Sequence, residues 1–571
     1  MPSHNHPGGR KFGMAEIIFL LAVLILVVIV ALPVILIFWT SFIVDGHLNL
    51  QAVVDTIMQP ETFQALKMSV LIAICVTVLC TFVGTLFAWL VTRTDLPFKE
   101  TMKVLFTVPF MLPAFIGAIA WKMLLSPRAG YINQFWMGLW GTREPLFNVY
   151  GFWGIVVIES MYLFPFVFIQ VSGALEHMDP TLEESARISG AGLFTITRKI
   201  TIPLIMPSVV AGALLVCLYS LSHFGTPAIL GTGVGIYTIP TMIYELIHQS
   251  AGSFAAIRAA TVLSVVLVLS AAVILYAQNR VVKSGRFQII AGKSVRPTVL
   301  KLRGLRMPLF IFCCIYLLIT VVMPTVTIFI VGMLKTYGVP VTWENMTWDN
   351  FRYVLFEWKL TRDAIWNSTY LSLSAAFVTM IAGGIISYVL VKLKVRGKWF
   401  LEFLGMLPFS LPGTVIALGV ILTWSGRFGI NIYNTAWIIF VAYIARYMAF
   451  SLKSNSAALE QVHDSLVEAS RASGATPWQS LRDIVIPLIR PGMVAAFFLI
   501  FLPALRELTT SVLLYGPTTR TIGVAIYTLN EDGETVYACA LAGVALLLIV
   551  GGEIIIKRFF EKKHRADNGG A

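Results

Sequence analysis

About a dozen apolar runs, each close to the length a helix needs to cross the hydrocarbon core of a bilayer, constrain this chain more than any other feature. Inside lipid no water is available to the backbone, so every N–H and C=O must be satisfied within the segment, and runs of this length form helices. The balance of residues agrees: 12% of the chain is charged and 57% is hydrophobic, whereas a soluble domain carries about 25% charged residues. The sequence therefore predicts an all-α membrane protein and excludes an ordinary soluble enzyme. Twelve spans are expected, near 15–42, 68–91, 104–125, 152–174, 205–222 and 259–276, then 307–334, 366–391, 401–424, 434–452, 490–506 and 536–556. The first is too long for a signal-peptide core and reads as an uncleaved span.

Lysine and arginine give the orientation, because basic residues concentrate on the cytoplasmic side. With the N-terminus inside, 29 of the 42 Lys and Arg residues fall in cytoplasmic segments and 12 on the other side, with Arg446 left within a span. Both termini are then expected in the cytoplasm. The stretch 277–306 carries eight of these charges and reads as a linker held at the inner leaflet. Nucleic acid is not an expected partner, since no aromatic interleaving accompanies the basic residues. The six cysteines all lie in apolar runs, as small buried residues do, rather than in a disulfide or metal framework. His4 and His6 sit in the polar N-terminal tail and suggest no site.

The chain is duplicated. The segment from Glu184 to Pro203 returns, 284 residues later, from Glu468 to Pro487. VPFMLP at 108–113 returns as LPFSLP at 407–412, and the paired prolines Pro109/Pro113 and Pro408/Pro412 are expected to kink the third span of each half. The halves are 1–276 and 307–571, joined by the linker, with their repeated loops at 175–208 and 453–491. Each has six spans running in the same direction, a parallel duplication of the kind that transporters use.

Each repeated loop reads as helix, glycine turn, short helix and an Ile-x-Ile-Pro exit into the next span. Asp179-Pro180 is a helix start, a capping side chain followed by proline where no N–H is needed. Gly190 and Gly474 stand where a chain leaves a helix in left-handed geometry. Thr476-Pro477-Trp478-Gln479 has capping-box spacing. Phe194 and Trp478 tip the second short helices, either packing back on their own bundle or docking into a partner.

Here the sequence resembles a known family. Glu184-Ser185-Ala186, Gly190 and Ile200-Thr201-Ile202-Pro203 are similar to the EAA loop of ABC importer permeases. Glu468-Ala469-Ser470, Gly474 and Ile484-Val485-Ile486-Pro487 match it again. The departures are Ser for one Ala in each triplet and Ile for Leu before the proline. The resemblance covers nearly the whole chain and implies a fused permease of the type I importer fold. It also implies that each loop gives a coupling helix to a cleft in a cytoplasmic ATP-binding subunit. Two copies of that subunit would serve one chain, a periplasmic or extracellular binding protein would deliver substrate, and ATP with Mg would sit on the partners. This chain itself would bind no cofactor and catalyse no reaction. The phrases HFGTPAILG (223–231) and RELTTSVLLYG (506–516) resemble the ferric-iron branch; related branches carry phosphonates, sugar phosphates or polyamines. Gly292-Lys293-Ser294 ends like a phosphate-binding loop, but Phe287 stands where the earlier glycine is required.

Charges inside spans are costly and mark pathways. Glu159 and Arg446 are such charges: either they approach across the repeat axis, as an ion pair or as a lining of the cavity, or each bonds separately near an interface. Arg506 and Glu507, at the outer end of the eleventh span, are candidates to meet substrate or binding protein, or else are solvated; His223 occupies the position of Glu507 in the first half. One His and one Glu do not define a metal site, and none is expected. GTGVG at 231–235 reads as a turn. A twelve-span secondary transporter fits the apolar pattern equally well but leaves the twin loops unexplained. A membrane enzyme has no nucleophile–base or metal-spaced set to support it.

Overall fold

Proline decides much of the helix geometry in this computed structural model, which describes residues 14–179, 181–249, 253–284, 299–393 and 395–568. Four π-helical turns, Val27–Ala31, Thr197–Thr201, Leu318–Val322 and Leu481–Val485, each run directly into an X-Pro pair. The pairs are Leu32-Pro33, Ile202-Pro203, Met323-Pro324 and Ile486-Pro487. Proline has no N–H, and its ring crowds the carbonyl one turn back; the wider π turn makes room for the ring while the helix continues.

Ten helices of the described residues are long and apolar enough to cross a membrane, running from Glu16–Phe42 to Thr535–Ile555. They fall where ten of the twelve expected spans fall. The third and ninth differ. In place of single kinked spans, Lys99–Met111 with Ala114–Leu125 bends by 89°, and Lys398–Ser410 with Gly413–Trp424 bends by 116°. Pro113 and Pro412 precede the second limbs in extended backbone, so the helix is broken there rather than curved.

Two compact units emerge, and they do not follow the two sequence halves. One comprises the stretch up to Trp39 with Trp366–Thr510 and Leu514–Thr519; the other comprises Thr40–Ile365, Ser511–Leu513 and the stretch from Arg520 onward. Within the first unit, the N-terminal span packs on the ninth: the Cβ that Gly419 lacks would lie 2.9 Å from Pro33. Ser451 of span ten donates to the Thr379 carbonyl of span eight at 2.8 Å, a small-residue contact typical of helices that meet in lipid. Within the second unit, spans two (Pro60–Arg93), four (Phe152–His177) and five pack together. Phe87 and Phe106 stack there at 4.3 Å, and Phe87 packs tilted against Tyr316 at 4.6 Å.

Candidate functional site

Both repeated loops end their first helix in the same way. In the first, the Thr181 N–H donates to Asp179 Oδ1 at 2.9 Å and opens helix Thr181–Ile188. That bond holds the exposed Asp179 carboxyl below its ordinary range. Pro180 lies outside the described residues. The helix ends at Gly190 with φ +80°. There the Gly190 N–H donates to Arg187 O and the Ala191 N–H to Ala186 O, both at 2.9 Å, a Schellman exit that a residue with a Cβ adopts only under strain. The second loop repeats it after helix Asp464–Ala472. Gly474 has φ +90°, its N–H donates to Arg471 O at 3.0 Å, and the Ala475 N–H donates to Ser470 O at 3.1 Å. The Thr476 N–H then donates to Gln479 Oε1 at 2.8 Å, and the Gln479 N–H to Thr476 Oγ1 at 3.2 Å, the reciprocal pair of a capping box.

One feature departs from the expected layout. The second short helices, Leu193–Ile196 and Pro477–Ser480, are not separate pieces. Each passes through its π turn directly into the following span, Ile202–Ser222 or Ile486–Leu505, with Pro203 and Pro487 in the first turns. The loop tip is thus a continuation of a membrane helix. Trp478, at that tip, is 64% exposed. The backbone of Phe194 lies in the equivalent helix; its side chain is outside what the structure describes.

The helix before each glycine has a matched outer face. Glu184 and Glu468 are exposed, as are Leu182 and Leu466 at equivalent positions, and Ile188. Its inner face differs between copies. In the first, Thr201 Oγ1 donates to Glu183 Oε1 at 2.6 Å, and Arg93 Nη1 lies 3.5 Å from Glu183 Oε2. All three residues are buried. In the second copy the positions of Glu183 and Thr201 are Val467 and Val485, which pack with Leu459, Val462 and Ile489. Glu183, not singled out from the sequence, was discoverable: valine at the matching position marks an inward-facing site.

The intramembrane charges form two local pairs rather than one Glu159–Arg446 pair. Glu159, fully buried in span four, lies 2.9 Å from His223 Nδ1 at the end of span five. Arg446 in span ten lies 3.3 Å from Glu507 and donates to Thr510 Oγ1 at 2.5 Å. Gly413, at the start of the ninth span's second limb, makes room for it: a Cβ there would sit 1.6 Å from Arg446 Nη1. Glu507 is buried rather than solvated. It also accepts from Tyr447 Oη at 3.0 Å and from the Thr510 N–H at 2.8 Å. Arg506 caps the eleventh span, half-buried. The two halves therefore place an ionisable pair at the same junction with the carboxylate on opposite members, helix carboxylate and end imidazole in one, helix guanidinium and end carboxylate in the other. Thr232–Val234 of the glycine-rich stretch forms a short 3-10 turn closed by Gly235 at φ +75°. Among the described residues no three His, Cys, Asp or Glu side chains gather as a metal site. His4, His6, Phe287 and Gly292-Lys293-Ser294 lie outside those residues.

Long apolar helices in two repeats, each with a capped polar loop running into its fifth span, define a multi-pass permease. The chain belongs to the family described as binding-protein-dependent transport system inner membrane component, which it matches at 84–283 and again at 379–565. It is 27% identical over 558 residues to the ferric transport system permease protein FbpB of Actinobacillus pleuropneumoniae, covering 97% of this chain and 78% of that one. It is 27% identical over 517 residues to a putative ferric transport system permease protein of Haemophilus influenzae, covering 90% and 79%. A putative 2-aminoethylphosphonate transport system permease protein of Salmonella paratyphi A is 28% identical over 205 residues, 35% of this chain and 77% of that one. A crystal structure of a bacterial alginate ABC transporter with its periplasmic protein aligns with a TM-score of 0.35 and 21% identity, over 45% of this chain and 94% of that chain. The protein is thus the permease component of an ABC importer in the inner membrane, a transport subunit and not an enzyme.

Proposed function

We propose that this permease carries ferric iron inward, driven by two copies of an ATP-binding subunit that dock on its two repeated loops. The observation that carries the coupling is the loop geometry. Two tips of matching backbone build continue into spans five and eleven, so a partner that moves a tip moves a membrane helix with it. Two such tips suit two copies of one partner. Both loops and both termini then face the cytoplasm, with 277–306 joining the repeats 1–276 and 307–571 on that side, and a binding protein delivers substrate to the opposite face. ATP and Mg belong to the partner, and this chain holds no cofactor. Ferric iron is favoured because the ferric relatives align with nearly the entire chain, 97% of it in one case, whereas the phosphonate relatives align with a third.

Reconstitution in proteoliposomes with the ATP-binding subunit and binding protein tests this. Uptake of ferric ion that needs ATP and both partners is the expected result. ATP-driven uptake of 2-aminoethylphosphonate but not ferric ion keeps the machinery and replaces the substrate. Uptake by the chain alone on an ion gradient, with no ATP, overturns the proposal in favour of a secondary transporter.

A further inference from the structure

The two loops are held to the membrane domain by different chemistry. Arg93, the last residue of span two, is 1% exposed, and its three guanidinium nitrogens make no hydrogen bond. What faces them is the Glu183 carboxylate, whose other oxygen holds Thr201 in the π turn that leads into span five. One buried carboxylate thus connects the end of span two, the helix of the first loop and the root of span five. The offset of 299 residues that relates Pro109 to Pro408 relates Arg93 to Lys392. Lys392 ties the end of span eight to the second loop by a different and partly exposed contact. It reaches the Val462 carbonyl and the exposed Asp464 carboxylate, both at 2.6 Å, while Val467 packs against the hydrocarbon cluster that contains Val485.

The first tether carries a further attachment. The Arg93 carbonyl accepts from the Leu300 N–H at 2.8 Å, and the Asp95 N–H donates to Leu300 O at 3.0 Å. Asp95 Oδ1 accepts from the Leu302 N–H at 2.8 Å. The chain entering the seventh span is therefore stitched to the residue whose side chain holds the first loop.

We propose that Arg93, Glu183 and Thr201 form a buried ionic tether that positions the first loop, so that Arg93 is a positioning residue for coupling in the first half only. This role rests on the loops being the docking sites for the ATP-binding subunit; the tether itself does not. The physical signature is the asymmetry of buried ion pairs. Removing one partner strands a charge in a low-dielectric interior, whereas replacing all members with hydrocarbon is often harmless.

The test compares Arg93→Met, Arg93→Lys and the triple variant Arg93→Met/Glu183→Val/Thr201→Val, which installs the valines of the second loop. Hydrogen exchange of the permease in nanodiscs without any partner reads the tether. Arg93→Met is expected to raise exchange over 181–201 by about tenfold while leaving 464–485 unchanged. Arg93→Lys and the triple variant are expected to stay within about twofold of the parent. In the assembled importer, Arg93→Met should raise the ATP hydrolysed per substrate moved, and the triple variant should restore it. Unchanged exchange at 181–201, equal loosening of both loops, or a triple variant no better than Arg93→Met would each overturn the tether. Loosened exchange with an unaltered ATP-to-substrate ratio would overturn its role in coupling. If no ATP-binding subunit associates with the parent chain, the docking reading fails while the exchange data still decide the tether.

Discussion

Trp478→Ala tests whether the loop tips are docking surfaces, and the structure sets the size of the effect. The side chain is 64% exposed, and a tryptophan has about 150–250 Å² to bury, so about 100–160 Å² is left for a partner to cover. At about 25 cal/mol per Å² that area is worth about 2.5–4 kcal/mol. Ordering the indole at the interface costs about 1 kcal/mol, leaving about 2 kcal/mol, or roughly a 30-fold weaker Kd for the ATP-binding subunit. The fold should be indifferent, because the capping box of Thr476 and Gln479 and the half-buried Leu481 contact do not involve the indole. Titrating the labelled ATP-binding subunit onto the permease in nanodiscs, beside a melting curve, separates the two. Affinity within twofold of the parent, at unchanged Tm, would mean that the indole faces headgroups or water and that the docking argument is mistaken.

Removing the Tyr447 hydroxyl in Tyr447→Phe takes a 3.0 Å hydrogen bond from the buried Glu507 carboxylate and should cost about 1.5–3 kcal/mol of stability, read as a lower Tm in detergent. His223→Ala leaves Glu159 without its 2.9 Å partner and should be more destabilising than Glu159→Gln, which removes the charge while keeping the shape; equal melting temperatures would contradict the pairing. Thr476→Ala should cost about 1 kcal/mol locally, speeding exchange of the Gln479 amide about fivefold with no change in overall Tm. The Asp179 cap acts through an ionised carboxylate whose pKa is lowered from 3.8 in the folded loop. Its contribution is complete above the unfolded value and disappears only as pH falls through the lowered one, so an NMR titration of Asp179 should show nothing between about pH 5 and 8.

What could be read from the sequence was whatever is encoded locally. The spans were legible because a bilayer demands about 20 apolar residues whatever surrounds them. The loop turns were legible because Asp179, Gly190, Gly474, Thr476 and Gln479 act within one turn of themselves. Other features depend on partners distant in the chain. Pro113 and Pro412 announced a kink, but proline alone does not encode the size of the 89° and 116° bends. Glu159 and Arg446 were recognisable as buried charges, yet their partners, His223 and Glu507, lie 64 and 61 positions away and are chosen by the packing of spans four on five and ten on eleven. Proline follows the π turns before Pro33, Pro203, Pro324 and Pro487, yet Pro165, Pro207, Pro491 and Pro503 sit inside helices with no such turn, so proline alone does not mark them. Glu183 and Glu184 look interchangeable as letters; only the helical phase, readable through Val467, separates the anchored residue from the exposed one.

The grouping of the N-terminal span with residues from Trp366 onward has a consequence for how the protein is made. A helix synthesised at the outset leaves the ribosome roughly 330 residues before the neighbours it will rest against, well over ten seconds earlier at bacterial elongation rates of about 5–20 residues per second. During that interval its contact face, Leu26 and Pro33 included, is covered by lipid or by the insertion machinery. Biogenesis of the final bundle is therefore post-insertional for this segment, and truncated chains ending before the eighth span should expose it to degradation.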